Sequence, residues 1–113
     1  MEFSCTEAGD VLIVRVMAER IDAAAALKFK DALRELTGAA SHVALDLRDV
    51  QFVDSSGLGA IVAVMKLMGT TRRLDLAGLT PTVDKVFRLT RMDTVFAIHR
   101  TVAEAMKSER RAG

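Results

Sequence analysis

The sequence predicts a single α/β domain in which a mixed, mostly parallel sheet of four to five strands packs against about four helices. Half of the 113 residues are hydrophobic, which is enough for one self-sufficient core. Short runs rich in β-branched residues alternate with segments of helical periodicity. The first two runs flank the turn pair Gly9-Asp10, which predicts an N-terminal antiparallel hairpin, although Asp-Gly is the favoured order. We assign residues 1–106 to the domain and 107–113 to a polar C-terminal tail expected to fray.

The remaining elements follow in order along the chain. Strands are predicted at residues 2–8, 11–17, 42–47, 73–77 and, as a short last strand, 95–98. Helices are predicted from Asp22 to Gly38, from Asp54 to about Gly69, from Pro81 onward with Thr80 as its cap, and over residues 101–107. Strands separated by helices favour parallel neighbours in one sheet.

Two of these helices have ordinary amphipathic patterns. Asp22 can cap the first helix, whose apolar stripe repeats at intervals of three and four until Gly38 ends it. The stripe consists of Ala26, Phe29, Ala32, Leu33 and Leu36. The buried face of the third helix is predicted from Val83, Val86 and Phe87.

The second helix is apolar on almost all sides. On a helical wheel, the side predicted to meet the sheet carries Leu58, Ile61, Val62, Met65 and Met68. The opposite side carries Ser56, Gly59, Ala60, Ala63 and Leu67, and Lys66 is the only charge between Asp54 and Arg72. Such a helix is either buried on both sides within the fold or docks a partner. The pattern alone leaves both possibilities open.

The start of this helix carries Asp54, Ser55 and Ser56. Free backbone amides and the positive end of the helix dipole meet there, so the site can accept an anion. The simplest interpretation is that Asp54 or Ser55 is an N-cap, worth about 1 kcal/mol. Alternatively, a hydroxyl here is phosphorylated, which would add about −1.5 to −2 charges beside Asp54 and disturb a docked partner without unfolding the domain.

The segment Leu45-Asp-Leu-Arg-Asp-Val-Gln-Phe-Val-Asp-Ser-Ser-Gly-Leu-Gly-Ala60 closely resembles the bacterial anti-sigma-factor antagonists, whose fold is the STAS domain. Further similarity covers Glu19-Arg20-Ile21-Asp22, residues 78–87 and residues 101–106, and therefore essentially the whole chain. The chain departs from the family at Ala18, where glycine is frequent, and at Arg91-Met92, where Gly-Leu is common. Both departures bear on loop details or partner choice.

The resemblance implies a phosphorylation-controlled partner switch. The unmodified protein would bind an anti-sigma factor, a serine kinase of the histidine-kinase-like ATPase fold, and so free a sigma factor. The kinase would phosphorylate Ser55, with Ser56 as the neighbouring alternative, and a PP2C-type phosphatase would reverse this. Asp22, Asp54 and Ser56 would flank the phosphorylation site. The partner-binding residues would be Gly57, Leu58, Gly59, Ala63 and Lys66.

Other classes of function have weaker support. The net charge is +1, so nucleic acid is not an expected partner. No secretory signal is visible, and the apolar stretch at residues 58–65 is too short for membrane insertion, which predicts a cytoplasmic protein. His42 and His99 are far apart in the sequence, and Gly-x-Ser-x-Gly is absent, so we predict no catalysis, metal or cofactor. Cys5 is expected to be a semi-buried strand residue in a reducing compartment.

Two alternatives to the switch remain. The helix start could hold a nucleotide or another anion without covalent change, as a regulatory module. The apolar helix could instead serve a constitutive interaction subunit that is never phosphorylated. The expected oligomeric state is a monomer or a weak dimer.

Overall fold

A computed structural model describes the backbone of residues 1–112 and the side chains of residues 1–107. The strands are β1 (Glu2–Ala8), β2 (Val11–Met17), β3 (Arg20–Ile21), β4 (His42–Asp46), β5 (Phe52–Val53), β6 (Arg73–Ala77) and β7 (Ile98–His99). The helices are α1 (Ala26–Thr37), α2 (Ser55–Met68), α3 (Pro81–Leu89) and α4 (Val102–Ala112), with a short 3-10 helix at Met92–Thr94. Within these residues the main sheet has five strands in the order β1-β2-β4-β6-β7, and β3 pairs with β5 separately. The predicted mixed α/β architecture is therefore confirmed.

The N-terminal hairpin forms as predicted, with seven consecutive antiparallel pairs from Glu2↔Met17 to Ala8↔Val11. Gly9 has a φ of 61°, whereas Asp10 does not have a positive φ. This is the pattern of a type II′ turn, in which glycine is favoured at the first central position. The order Gly-Asp therefore suits the turn that the chain adopts. The pairs β2–β4, β4–β6 and β6–β7 are parallel.

The strands alternate between two covered faces of the sheet. Val14, Leu45 and Leu76 lie in the main core with residues of α1, α2 and α3 such as Phe29, Ile61 and Phe87. The opposite face presents Val11, Ala44 and Ala77 to Ala105 of α4. The small alanine side chains allow α4 to lie close to this face.

Several element boundaries differ from the prediction, and the two-residue strands β3 and β5 were not predicted. The last strand is Ile98–His99, not 95–98, because the 3-10 helix turns the chain and only two residues reach β6. Helix α1 starts at Ala26 after a turn in which Asp22 accepts hydrogen bonds from the Ala25 and Ala26 amides. Helix α4 ends at Ala112, beyond the predicted 101–107. Fraying of the tail stays a prediction, since Gly113 and the side chains of 108–112 lie outside the described part of the chain.

Several burial predictions also change. Leu36 is exposed and Thr37 is buried in its place, because the last turn of α1 presents Thr37 to the fold. Cys5 is exposed rather than semi-buried, since β1 is an edge strand whose side chains are largely uncovered. Thr80 precedes α3 as predicted, but its hydroxyl donates to the Val50 carbonyl at 2.9 Å instead of capping the helix.

Candidate functional site

The short parallel ribbon of β3 and β5 fixes the position of the candidate site. Arg20 pairs with Phe52, and Ile21 pairs with Val53. Because parallel strands end at the same edge, the residues after them become neighbours. The Asp54 amide donates to the Ile21 carbonyl at 3.4 Å. Asp22 and Asp54, which are far apart in the sequence, therefore lie at one end of the ribbon.

Asp54 is the N-cap of α2 and links it to the loop after β3. Its Oδ1 accepts the Gly57 amide at 2.9 Å, and its Oδ2 accepts the Ala23 amide at 3.1 Å. One carboxylate thus satisfies a free amide of the helix and an amide of the neighbouring loop. The Asp54 side chain therefore has a structural role, because it joins the start of α2 to the loop after β3.

Ser55 is the first residue of α2, and its side chain is exposed. Since Asp54 takes the capping role, the Ser55 hydroxyl makes no hydrogen bond with any residue of the described chain. Ser56 is exposed as well, and its hydroxyl makes no hydrogen bond with the described residues 1–107. Of the two N-cap candidates, the structure selects Asp54 and leaves the Ser55 hydroxyl accessible.

Asp22 is held beside the site by two donors. Its carboxylate accepts the Arg20 Nε at 3.2 Å and the Ala25 amide at 3.3 Å. The hydrogen bond from Arg20, with a smaller contribution from the Ala25 amide, lowers the pKa of Asp22 below its usual range. Asp22 therefore carries a negative charge at neutral pH.

Arg20 and Phe52 form an exposed pair next to these carboxylates, and the sequence pattern did not reveal it. The Arg20 guanidinium lies 4.1 Å from the centroid of the Phe52 ring, a cation–π geometry. Phe52 is 37% exposed, which is unusual for a phenylalanine. The only signal in the sequence was an aromatic residue two positions before Asp54, and its partner became apparent only from the β3–β5 register.

The buried side of α2 differs from the helical-wheel prediction. The buried residues are Gly57, Ala60, Ile61, Val64 and Met68, whereas Leu58, Val62 and Met65 are only half-buried. Gly57 lies so close to β3 that an added Cβ would stand 1.9 Å from the Ile21 carbonyl oxygen. Gly57 was expected to contact a partner, but its burial does not fit that role. Ile61 and Met68 are buried as the wheel predicted, but the wheel missed Gly57 because contact with β3 requires a small residue there.

The outer side of α2 is open to solvent and borders a groove beside α1. Gly59, Lys66 and Leu67 are exposed, and Leu67 retains 55% of its accessible surface. The groove is about 300 Å³ in volume. It is lined by Ala26, Leu27 and Lys30 of α1 and by Ser56, Gly59, Ala60 and Ala63 of α2. In the described chain the outer side of α2 is therefore not buried within the fold, which favours the possibility that this helix docks a partner.

A second polar cluster lies elsewhere, on the α4 side of the sheet. Buried Asp75 accepts His42 Nε2 at 3.2 Å and His99 Nε2 at 2.9 Å, and Arg73 Nε donates to it at 2.8 Å. The two histidines, judged distant in the sequence, thus meet at one carboxylate. Among the described side chains, those of residues 1–107, no three His, Cys, Asp or Glu side chains are arranged to hold a metal ion.

Comparisons with known proteins agree with this fold. Residues 2–105 match the STAS domain family. A proposed anti-sigma factor antagonist of Thermotoga maritima is 34% identical over 72 residues. This alignment covers 63% of this chain and 64% of the relative, which is less than two thirds of each.

Solved structures are similar over nearly the whole chain. The crystal structure of a proposed anti-sigma factor antagonist from Thermotoga maritima has a TM-score of 0.84 and 28% identity, and the match covers 96% of this chain and 94% of that one. The Bacillus cell fate determinant SpoIIAA in its phosphorylated form has a TM-score of 0.66 and 22% identity, with 95% and 98% covered. The latter likeness concerns the fold alone. No helix within residues 1–112 has the length and apolar character needed to span a bilayer.

Proposed function

We propose, because this chain belongs to the STAS domain family, that it is a non-enzymatic anti-sigma-factor antagonist controlled by phosphorylation of Ser55. The unphosphorylated form binds an anti-sigma factor that is also a serine kinase of the histidine-kinase-like ATPase fold, and a sigma factor is released in the cytoplasm. Phosphorylation of Ser55 abolishes binding, and a PP2C-type phosphatase restores it. The anti-sigma factor antagonists among its relatives support the general role.

The accessibility of the Ser55 hydroxyl is the observation that supports this proposal most strongly. A kinase must place this oxygen in line with the γ-phosphorus of ATP, so the hydroxyl has to be exposed and free of competing hydrogen bonds. Ser55 meets both conditions because Asp54 caps the helix in its place.

The transfer step requires a base that accepts the hydroxyl proton as the Ser55 oxygen bonds to phosphorus and ADP departs. Both oxygens of Asp54 already accept backbone amides, at 2.9 and 3.1 Å. These two hydrogen bonds fix the position of the Asp54 carboxylate. We therefore assign the base to the kinase and a positioning role to Asp54.

Phosphorylation would act on binding through charge. The phosphoryl group adds about −1.5 to −2 charges at a point already flanked by Asp22 and Asp54. The positive end of the α2 dipole moderates this charge within the domain. A partner that covers the outer face of α2, formed by Gly59, Ala63, Lys66 and Leu67 with the half-buried Leu58 at its margin, would have to desolvate the new dianion. Binding is lost while the fold persists.

The proposal is tested by measuring affinity for the cognate anti-sigma-factor kinase by calorimetry. We expect unmodified protein and Ser55→Ala to bind with similar affinity, and Ser55→Asp to bind at least tenfold more weakly. Ser56→Asp is the matched control, since it places the same charge one residue further along α2. A tenfold loss with Ser56→Asp alone would move the site to Ser56.

Addition of ATP separates the switch from a constitutive interaction. ATP should release the unmodified protein from the kinase but leave Ser55→Ala bound. Equal retention of both proteins, without phosphate on either, would indicate a constitutive subunit that uses the same helix.

A further inference from the structure

The outer edge of β1 is the longest unpaired edge in the described chain. Strand β1 is the terminal strand of the sheet, and five of its seven residues are exposed. At the other end of the sheet, β7 has only two residues. An exposed strand edge presents a row of free N–H and C=O groups that can pair with another strand.

Strand β1 lacks most of the features that usually block such pairing. Its register with β2 runs without a bulge through seven consecutive pairs, and its sequence contains no proline, lysine or arginine. Its two charged residues, Glu2 and Glu7, lie near its ends. The centre of the strand is Ser4-Cys5-Thr6, which is small and uncharged.

The turn geometry shows which backbone groups point outward. In a two-residue hairpin the residues beside the turn form a hydrogen-bonded pair, and such pairs alternate along the strands. Ala8 faces Val11 across Gly9-Asp10, so the amides of Ala8, Thr6 and Ser4 point toward β2. The amides and carbonyls of Phe3, Cys5 and Glu7 consequently point away from the sheet.

We propose that β1 pairs antiparallel with β1 of a second copy of this chain, about a twofold axis that passes through Cys5. Cys5 lies at the midpoint of Glu2–Ala8, so this register gives the longest overlap that a twofold axis allows. Phe3 then faces Glu7 of the second copy, and Glu2 faces its Ala8. The outward backbone groups pair and no two glutamates stand opposite each other.

The resulting dimer is weak and reversible. Pairing of two seven-residue strands buries less than the roughly 1,200 Å² typical of stable interfaces. The edge residues differ from those of the outer face of α2, so strand pairing does not use the surface proposed for the kinase. The inference therefore stands independently of the proposed function.

Cys5 reports directly on this register. Facing Cα atoms of a hydrogen-bonded pair lie about 5.5 Å apart, within the 4.4–6.8 Å range of disulfides. Diamide, which takes up two protons and two electrons per disulfide, should therefore convert the full chain into a Cys5–Cys5 dimer within minutes. Light scattering before oxidation should show an apparent mass rising from 12.3 kDa toward twice that value as concentration increases.

Two variants provide the controls. The variant Cys5→Ser/Glu7→Cys moves the cysteine along β1 but keeps it on the same face and the same edge of the sheet. The two thiols of the dimer would then be about 14 Å apart, so cross-linking should fall at least tenfold. Cys5→Pro removes an outward amide that β2 does not use, and should leave a folded monomer by circular dichroism. Equal cross-linking of both cysteine positions, a mass of 12.3 kDa at every concentration, or a Cys5→Pro dimer of unchanged affinity would each overturn the proposal.

Discussion

Asp54 and Ser55 have different roles at the start of α2: Asp54 caps the helix, and Ser55 presents a free hydroxyl. Asp54 caps α2 and holds the Ala23 amide, and this frees the adjacent hydroxyl. The sequence could place both residues at the helix start because the apolar periodicity begins there. It could not distinguish the cap from the free hydroxyl, since either side chain can accept the same amide.

Replacement of Asp54 tests this division of roles. Asp54→Ala removes both hydrogen bonds and should lower the free energy of unfolding by about 1 to 2 kcal/mol in urea denaturation. Ser55→Ala is the control and should change it by less than about 0.5 kcal/mol, because the hydroxyl has no partner. A Ser55→Ala loss as large as that of Asp54→Ala would contradict the assignment.

The ion pair of Arg15 and Asp49 predicts that the free energy of unfolding depends on pH. Arg15 donates to Asp49 at 2.6 and 3.0 Å, and this hydrogen bond lowers the pKa of Asp49 in the folded state. A lowered carboxyl pKa stabilises the fold above the unfolded value, about 3.9, and the effect is lost as the pH falls through the folded value. Urea curves should show Asp49→Asn less stable than the parent at pH 7. The difference between the two proteins should begin to shrink near pH 4 and vanish only below the lowered pKa of Asp49, and a constant difference would refute the linkage.

At the scale of the element, α2 shows what a hydrophobic pattern can and cannot predict. Its extent was predicted well, because Asp54 and Gly69 bound a mostly apolar segment. Its buried side was predicted in part: Ile61 and Met68 are buried as expected, whereas the burial of Gly57 and Ala60 was missed because it depends on their small size. A wheel ranks residues by apolar character and cannot detect a close approach to the backbone of β3.

Two glycines of α2 allow a matched test of the close contact between α2 and β3. Gly57→Ala would place a Cβ 1.9 Å from the Ile21 oxygen, so the backbones must separate. We expect a loss of at least about 1 to 3 kcal/mol in the free energy of unfolding. Gly59 has nothing within 4 Å of an added Cβ, and Gly59→Ala should stabilise the helix by about 0.5 to 1 kcal/mol. Equal effects of the two substitutions would mean that α2 does not contact β3 in this way.

For the whole molecule, the sequence could predict the sheet-and-helix alternation because each strand and helix is bounded by local signals. The strand at residues 73–77 and the hairpin at residues 2–17 were predicted correctly. The parts that could not be predicted depend on contacts between distant segments. His42 and His99 meet at Asp75 only after β4, β6 and β7 are aligned, and Cys5 is exposed because β1 has one neighbouring strand.

We expect a negative charge at position 55 to change binding without changing the fold. In Ser55→Asp, amide chemical shifts should move near residues 20–27 and 52–60, while those of the main sheet and α4 stay in place. The melting temperature should change by only a few degrees, since the substitution is on the surface and the dipole of α2 favours a negative charge. Shift changes throughout the sheet would indicate refolding and contradict a switch based on local charge.

Peptide mass spectrometry of the protein purified from its native cells would show whether Ser55 accepts phosphate. A species heavier by one phosphate, about 80 Da, should map to Ser55, and it should be absent from Ser55→Ala and retained in Ser56→Ala. Phosphate that maps to Ser56, or its absence under every growth condition tested, would contradict the proposed role of Ser55.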